Sequence, residues 1–501
     1  MIVKFPRALE PDNWQIVIPK KVFVYSAHLD PWSRNESIIH ILGSITKKDL
    51  INPNRSQLYC KIWIVSEDSQ SVIVDTSKVT RITDPDFTWE DFEIISEIAS
   101  HLQNKRIIHA PAMTVKFPRA LEPDNWQIVI PKKVFVYSAH LDQWSRNESI
   151  IHILGSLTKK DLINPNRSQL YCKIWIVSED SQSVIVDTSK VTRIIDPDFT
   201  WEDFEGRNAE FTCHFNITPD VLTNTVVQLT SNPYKVPNNS MSLHQNFKQG
   251  QRYNFTVCLE GPFFGGISTD WFIEWMEANT IFGAQKILIH NLSIPLYLKP
   301  YINYYKRIGL LEVLPWDLRF WPTANRSATI RYNLQPIMIV DCQYRLQHYS
   351  KYIVFIDMDE LIVPRASTDK TWSDMIDHLN CPLHPHSYGA RQLWFLKEYP
   401  RIENTTLITQ DVRIRNTYIA NFGIRSKYIA DTTLLTTMAS IHSAFEGIGN
   451  TTCVMTLEIG SLHHYKSYTV YNETVQDDTM TKYRIELMQR VKNVKTEIDT
   501  Q

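Results

Sequence analysis

The sequence predicts an α/β half on a Rossmann-like plan, preceded by a β-rich, sandwich-like module present in two near-identical copies. Three observations carry this expectation. From Tyr253 onward, apolar runs of strand length alternate with helix-length stretches, which is the signature of βα units. Before that point, short runs such as WQIVI, KVFVYSAHL, SIIHIL, LYCKIWIV and SVIVDTSKVTRI follow one another between Pro, Asn, Asp and Ser clusters, the pattern of antiparallel strands. Finally, Met1 to Glu93 recurs as Met113 to Glu205 with four differences: Ile2/Thr114, Pro31/Gln143, Ile45/Leu157 and Thr83/Ile195.

Identity this close over this length is not that of a structural repeat, because solenoid units recur at about 20–50 residues and diverge while keeping a pattern. A recent exon-scale duplication or a fused gene model explains it better. The second copy runs directly into GRNAEFTCHFNITPD, whereas the first runs into EIISEIASHLQNKRIIHAPA, which has no later counterpart. Copy two is therefore the native neighbour of the α/β half. The expected domains are residues 1–93 (copy one), 94–112 (connector), 113–250 (copy two with an extension) and 251–501 (the α/β domain).

The cysteines agree with this reading. Seven occur, and setting aside the duplicated Cys60 leaves Cys172, Cys213, Cys258, Cys342, Cys381 and Cys453, an even set. Without a CxxC or a close Cys/His quartet, disulfides are favoured over structural zinc, with Cys342 a candidate buried thiol. Their connectivity is not readable from sequence.

With 501 residues, 43% hydrophobic and 21% charged, the chain can bury several cores. A net charge of −2 without long charged blocks gives no general reason to attract nucleic acid or an anionic membrane surface. No run of about 18 apolar residues occurs, and the opening MIVKFPRALEPDNW lacks the apolar core of a signal peptide. Yet there are twelve Asn-x-Ser/Thr sequons, which matter only in a lumenal chain.

In the α/β half, FTVCL reads as a strand, Asp270 to Ile281 as an amphipathic helix with Trp271, Trp275 and Ala278 on one face, and KILIHNL as the next strand. LYLKPYINYYKRIG and LLEVLPW repeat the unit, with Gly309 after the helix. Pro336 opens the helix before YIVFID, and Pro in a first turn and Gly past a last one are ordinary boundary signals. No GxGxxG or GKS/GKT is present. The most informative segment is YIVFIDMDELIVP (Tyr352 to Pro364). Its apolar run fits a strand covered on both faces, and Asp357 and Asp359 fall where that strand emerges. Alternation points both to one side, where a divalent ion bridging a diphosphate could be held, with Glu360 bracing the pair.

The ordered set TVCLEGPFFGG, DWFIEWMEANTIFGAQKILIH, LLEVLPWD, VDCQYR, DMDELIVP, SKYIA, SIHSA and HHYK resembles glycosyltransferase family 92, of the GT-A type with a DxD site. The resemblance covers about half the chain. It implies transfer of a hexose, galactose from UDP-galactose above all, to a glycan acceptor, with Mn²⁺ or Mg²⁺ as cofactor and inversion at the sugar. By residue-wise carry-over Asp357 meets the ribose or a metal-bound water, and Asp359 ligates the metal. His464 completes the metal site, with His442 the competing candidate, and Lys466 neutralises diphosphate charge. Asp341 and Arg345, four apart on the predicted helix, either orient the donor or form an ion pair. Glu360 and Glu398 are the candidate catalytic carboxylates, Glu398 on the acceptor side. Trp394, Phe395 and Tyr399 form a sugar platform or core. The chain departs from the family pattern at Asp431-Thr432, at Lys466 and in LKEYPR.

The resemblance also implies residence in the Golgi lumen, with a membrane anchor in the complete form that this N-terminus lacks. The β module is either an accessory, glycan-binding unit or a platform. Two rival readings remain. A glycan-binding pseudoenzyme would keep the fold without turnover. A haloacid-dehalogenase-like phosphohydrolase also places D-x-D after a strand, but calls for a later acidic motif that only Asp477-Asp478 could supply.

Overall fold

The computed structural model describes residues 118–500 except for short internal stretches, the longest being 159–168, 196–205 and 319–333; before residue 118 it describes six strands. Contacts group the chain into two units, Met1–Pro118 with Trp175–Val186, and Arg119–Ile174 with Asp187–Gln501.

In the first unit, β1 (Gln15–Ile18), β2 (Val22–Leu29), β3 (Ile39–Ile45) and β6 (Glu90–Ile94) form an antiparallel sheet in that order, while β4 (Tyr59–Val65) and β5 (Val72–Lys78) form a separate pair. The side chain of Cys60 lies outside the described residues.

Copy two supplies β7 (Gln127–Ile130), β8 (Val134–Leu141), β9 (Ser149–Thr158), β10 (Tyr171–Val177) and β11 (Val184–Ile195), followed by β12 (Gly206–Phe215), β13 (Thr225–Thr230) and β14 (Met241–His244). The β7–β8 and β8–β9 registers repeat those of β1–β2 and β2–β3 with every pairing displaced by the same 112 residues. What differs is the next neighbour. In copy one β3 pairs with β6, whereas in copy two β9 pairs along its whole length with β12, which lies beyond the duplicated stretch.

The sheet runs β14-β13-β10-β11-β12-β9-β8-β7, and β14 also pairs in parallel with β8 through Leu243 and Ala139. It therefore closes on itself, which corrects the expected sandwich. Closure requires strong coiling, and two devices provide it: bulges at Ile128/Ile130 and Val136/Ser138, and Gly155 in β9, where a Cβ would stand 2.1 Å from the Phe135 carbonyl oxygen. Cys172 in β10 and Cys213 in β12 are joined by a disulfide.

The α/β half begins with β15 (Tyr253–Leu259), β16 (Phe263–Phe264), α1 (Thr269–Phe282), β17 (Lys286–Ser293), α2 (Lys299–Arg307), β18 (Leu311–Pro315), α3 (Gln335–Leu346) and β19 (Ser350–Ile356). Strands β18, β17, β15 and β19 are parallel neighbours. Then follow β20 (Glu360–Pro364), α4 (Trp372–His378), β21 (Ser387–Ala390), β22 (Gln392–Leu396), α5 (Ile408–Asp411), β23 (Ile414–Asn416), β24 (Lys427–Asp431), β25 (Thr452–Val454), β26 (Gly460–Lys466), β27 (Thr474–Gln476) and α6 (Arg484–Asp499). The sheet continues through β24, antiparallel to β19, and β21, antiparallel to β24. A second sheet, β20-β26-β22-β23-β27, stands beside them.

Ser268 caps α1, its hydroxyl accepting the Trp271 N–H. The helix is buried almost all round rather than on one face, because α6 covers its outer side, with Lys495 paired to Asp270 and Arg490 to Glu277. The expected amphipathic pattern is thus corrected to a helix held between two layers. Cys342 is bonded to Cys258, tying α3 to β15, so it is no free thiol, and Cys381 is bonded to Cys453.

The closed sheet and the α/β half share one core. Trp126, Phe135 and Tyr137 pack with Trp316, Ile337 and Val340, and the Tyr137 hydroxyl donates to the Pro315 carbonyl.

Candidate active site

Strand β19 carries five consecutive buried residues, Tyr352 to Ile356, and ends there. Asp357, Met358 and Asp359 form a turn, closed by the Glu360 N–H donating to the Asp357 carbonyl at 3.1 Å, before β20 starts at Glu360. Indole N–H groups clamp it: Trp271 donates to the Met358 carbonyl at 2.7 Å and Trp275 to that of Glu360 at 2.9 Å. Because this is a turn and not extended chain, alternation does not govern it. The two aspartates face different partners.

Asp357 faces Lys427, the first residue of β24, at 3.1 Å. The Lys427 ammonium is buried and also pairs with Glu260 at the end of β15 and, at 3.8 Å, with Glu360. Burial works against its charge, but Asp357, Glu260 and Glu360 outweigh that and hold it well above the ordinary lysine range. Burial likewise raises Glu260 well above the carboxylate range.

Asp359 faces His464, with Oδ2 and Nε2 3.1 Å apart. Register explains the meeting: His464 in β26 is the direct partner of Glu360 in β20 on one side and of Trp394 in β22 on the other. Trp394 stacks on the imidazole with ring centroids 5.3 Å apart and planes at 11°. Burial disfavours the imidazolium, but Asp359 and Glu360 raise its pKa. Burial also disfavours the Asp359 carboxylate, which the His464 hydrogen bond nevertheless holds below its usual range.

These groups open onto a cavity of about 760 Å³ lined by Asp357, Asp359, His464, Lys397, Lys466 and His442 among others, with Gln335 and Pro336 at the start of α3 on its wall. It lies at the carboxyl ends of β15 and β19, where open α/β sheets bind ligands.

Among the described residues no three His, Cys, Asp or Glu side chains form a closed metal cage. A two-residue open site fits better. The Nδ1 edge of His464 meets Glu360 Oε1 at 3.4 Å and the Gln392 amide, whose Oε1 is a buried oxygen without a partner. Turning that amide over gives the orphaned oxygen an Nδ1–H donor. With a cation in place of the Nε2 proton that now bonds Asp359, Nδ1 would keep its hydrogen and Nε2 with the Asp359 carboxylate would supply a nitrogen and an oxygen ligand that suit a divalent ion.

The remaining expectations divide. Lys466 lines the cavity. Glu360 is buried, accepts the Asp357 N–H at 2.9 Å and is raised to about 7 by burial against the pull of Lys427; it braces the turn and is corrected from catalytic group to support. Asp357 lines the cavity and pairs through Oδ2 with Lys427. Glu398 stands exposed in the turn after β22, outside the cavity lining. Trp394, Phe395 and Tyr399 are buried and belong to the core.

Of the two alternatives for Asp341 and Arg345, the structure shows the ion pair. They are engaged in a buried cluster that joins α3 to the closed sheet. Asp341 meets Arg345 at 2.7 Å, His140 and His290 at 3.1 Å and Ser138 at 2.6 Å, and Arg345 meets Asp124 at 2.6 Å. Burial opposes the Asp341 charge, and Arg345 with the two histidines holds it well below the carboxylate range. Both Asp341 oxygens and two of the three Arg345 nitrogens are engaged there, and neither residue lines the cavity. Asp477, which the phosphohydrolase reading needs as a metal ligand, is bound to Arg365 and Arg415.

Sequence reasoning assigned no role to Lys427, Glu260, Gln392 or Lys397. For the first two the signal was present, a charged residue directly flanking an apolar strand in SKYIA and CLEG.

Comparison with known proteins now adds the family. The pattern of glycosyltransferase family 92 matches residues 253–501. This half of the chain belongs to glycosyltransferase family 92. Within the chain, 114 residues are 28% identical to "Beta-1,4-galactosyltransferase galt-1" of Caenorhabditis elegans, covering 22% of this chain. The match spans 26%, about a quarter, of that relative's length. The family 92 domain thus holds the Asp-x-Asp turn, Lys427, His442 and His464, whereas the cluster around Asp341 joins it to strands outside the matched range.

Proposed function

We propose that the chain is a metal-dependent hexosyltransferase that moves galactose from UDP-galactose to a glycan acceptor with inversion. The observation that carries this reading is the contact of Asp359 with His464 at the mouth of a cavity that also presents Lys397 and Lys466. Asp359 and His464 would hold Mn²⁺ or Mg²⁺, which when bound neutralises charge on the departing diphosphate. The two lysines add positive charge where that leaving group develops it. Lys427 fixes the turn that carries both aspartates. Support for galactose comes from the name of the worm relative, a β-1,4-galactosyltransferase, and support for a GT-A plan from the cavity at the carboxyl ends of parallel strands.

A lumenal, Golgi location of a membrane-anchored complete form accords with two observations. The sequon residues Asn216, Asn238 and Asn254 are exposed, and the six cysteines outside copy one are all in disulfides. Among the described residues no helix is long and apolar enough to cross a membrane.

The test is turnover of a panel of UDP-sugars by the purified chain with Mn²⁺ and with chelator. Metal-dependent release of UDP, fastest from UDP-galactose, is the expected result. Equal rates in chelator, or none from any donor, would overturn the reading.

A further inference from the structure

An inverting transfer needs a group that takes a proton from the acceptor hydroxyl, and the cavity supplies an unexpected one. Its two carboxylates are engaged, Asp357 with Lys427 and Asp359 with His464. Glu260 and Glu360 are buried behind the wall, and Glu398 is outside it. His442 remains. Its Nδ1 lies 3.2 Å from the Ser426 carbonyl oxygen, and its own carbonyl accepts the Ser426 hydroxyl at 2.9 Å. A carbonyl oxygen only accepts, so Nδ1 must carry the proton and Nε2 a lone pair. Among the described residues no hydrogen-bond partner occupies Nε2.

We propose that His442 is the general base of the transfer, accepting the acceptor's hydroxyl proton at Nε2. This rests on the transferase reading above. The acceptor oxygen bonds to the anomeric carbon of a nucleoside-diphosphate hexose while the bond from that carbon to the diphosphate oxygen breaks. The bonding pair leaves with the diphosphate, and the hydroxyl proton passes to Nε2 to give an imidazolium. Burial, then the nearby Lys427, keep the imidazole below its ordinary range, with Asp357 and Arg425 the other charged groups that act on it. It therefore stands neutral and ready at physiological pH.

The test uses the full chain, UDP-galactose as donor and water as acceptor. His442→Asn keeps a donor for the Ser426 carbonyl and removes Nε2; His442→Gln serves if the first variant melts lower than wild type. The expected result is a kcat lower by about 100-fold or more, with UDP affinity by calorimetry and donor KM within twofold of wild type. The acidic limb of the wild-type pH profile should also disappear. A kcat within threefold of wild type, or an unchanged acidic limb, would overturn the proposal while leaving the transferase reading intact. Absence of Mn²⁺-dependent turnover by the wild-type chain would instead overturn that reading and this assignment with it.

Discussion

Glu360 and His464 are register partners across β20 and β26, and their side chains meet 3.4 Å apart behind the Asp359 carboxylate. A strand pairing thereby does what a loop could do only loosely: it fixes which edge of the imidazole faces the cavity. Removing the group in front and removing the group behind should have different consequences.

Asp359→Asn removes one charge without changing volume at a side chain that is 39% exposed. Transfer in saturating Mn²⁺ should fall below a tenth of wild type, with the melting temperature unchanged. Chelator should suppress the wild-type rate, and Mn²⁺ should restore it at least as well as Mg²⁺. Activity that survives both treatments would remove Asp359 and His464 from the metal.

Lys427→Met should be costly for folding as well as rate, because it leaves Asp357, Glu260 and Glu360 crowded without their cation. Stranding buried charge costs about 3–5 kcal/mol. Denaturant titration should show that loss, and a variant as stable as wild type would contradict the central place given to this ammonium.

Asp341→Asn separates structure from chemistry. It breaks the buried pair with Arg345 and leaves Asp124 as that guanidinium's remaining carboxylate, so stability should fall by about 3–5 kcal/mol. Donor KM, measured well below the melting transition, should not move. A raised KM with unchanged stability would return the pair to the donor site.

His152 gives a pH signature remote from the cavity. Burial disfavours its imidazolium, but Glu210 at 2.7 Å and Asp142 at 3.3 Å outweigh it and hold the pKa at about 9. A raised folded-state value stabilises fully below the unfolded value near 6.5 and is lost as pH rises through about 9. At about 1.4 kcal/mol per unit, the effect is on the order of 3 kcal/mol. Melting temperature should decline across that window, and His152→Gln should flatten the decline.

Deleting residues 1–112 should leave activity and stability intact, since β12, β13 and β14 complete the sheet with the second copy. Lost transfer in the shortened chain would show that the first copy has a working place.

The Asp-x-Asp turn was legible because five apolar residues announce a buried strand and the acidic pair marks its end. His464 was legible through its late motif. Lys427, Glu260 and Gln392 were not, because each is a single polar residue beside an apolar run and its partners lie about 70 to 170 positions away. The spacing of Asp341 and Arg345 correctly announced a pair. What it could not announce was Asp124 and His140, brought in from the closed sheet. Sandwich and closed sheet share one strand pattern, and the pairing of Leu243 with Ala139 that distinguishes them leaves no local trace.

Cys172 finds its partner, Cys213, outside the duplicated stretch, and so does β9 in pairing with β12. The chain therefore encodes two near-identical claimants for one closing strand. While the chain is being made, both claimants emerge before Cys213 and β12 do. Cys60 and Cys172 can then compete for a single thiol, and capture of β12 by the first copy would require β3 to give up β6. Peptide mapping under non-reducing conditions would count the winners.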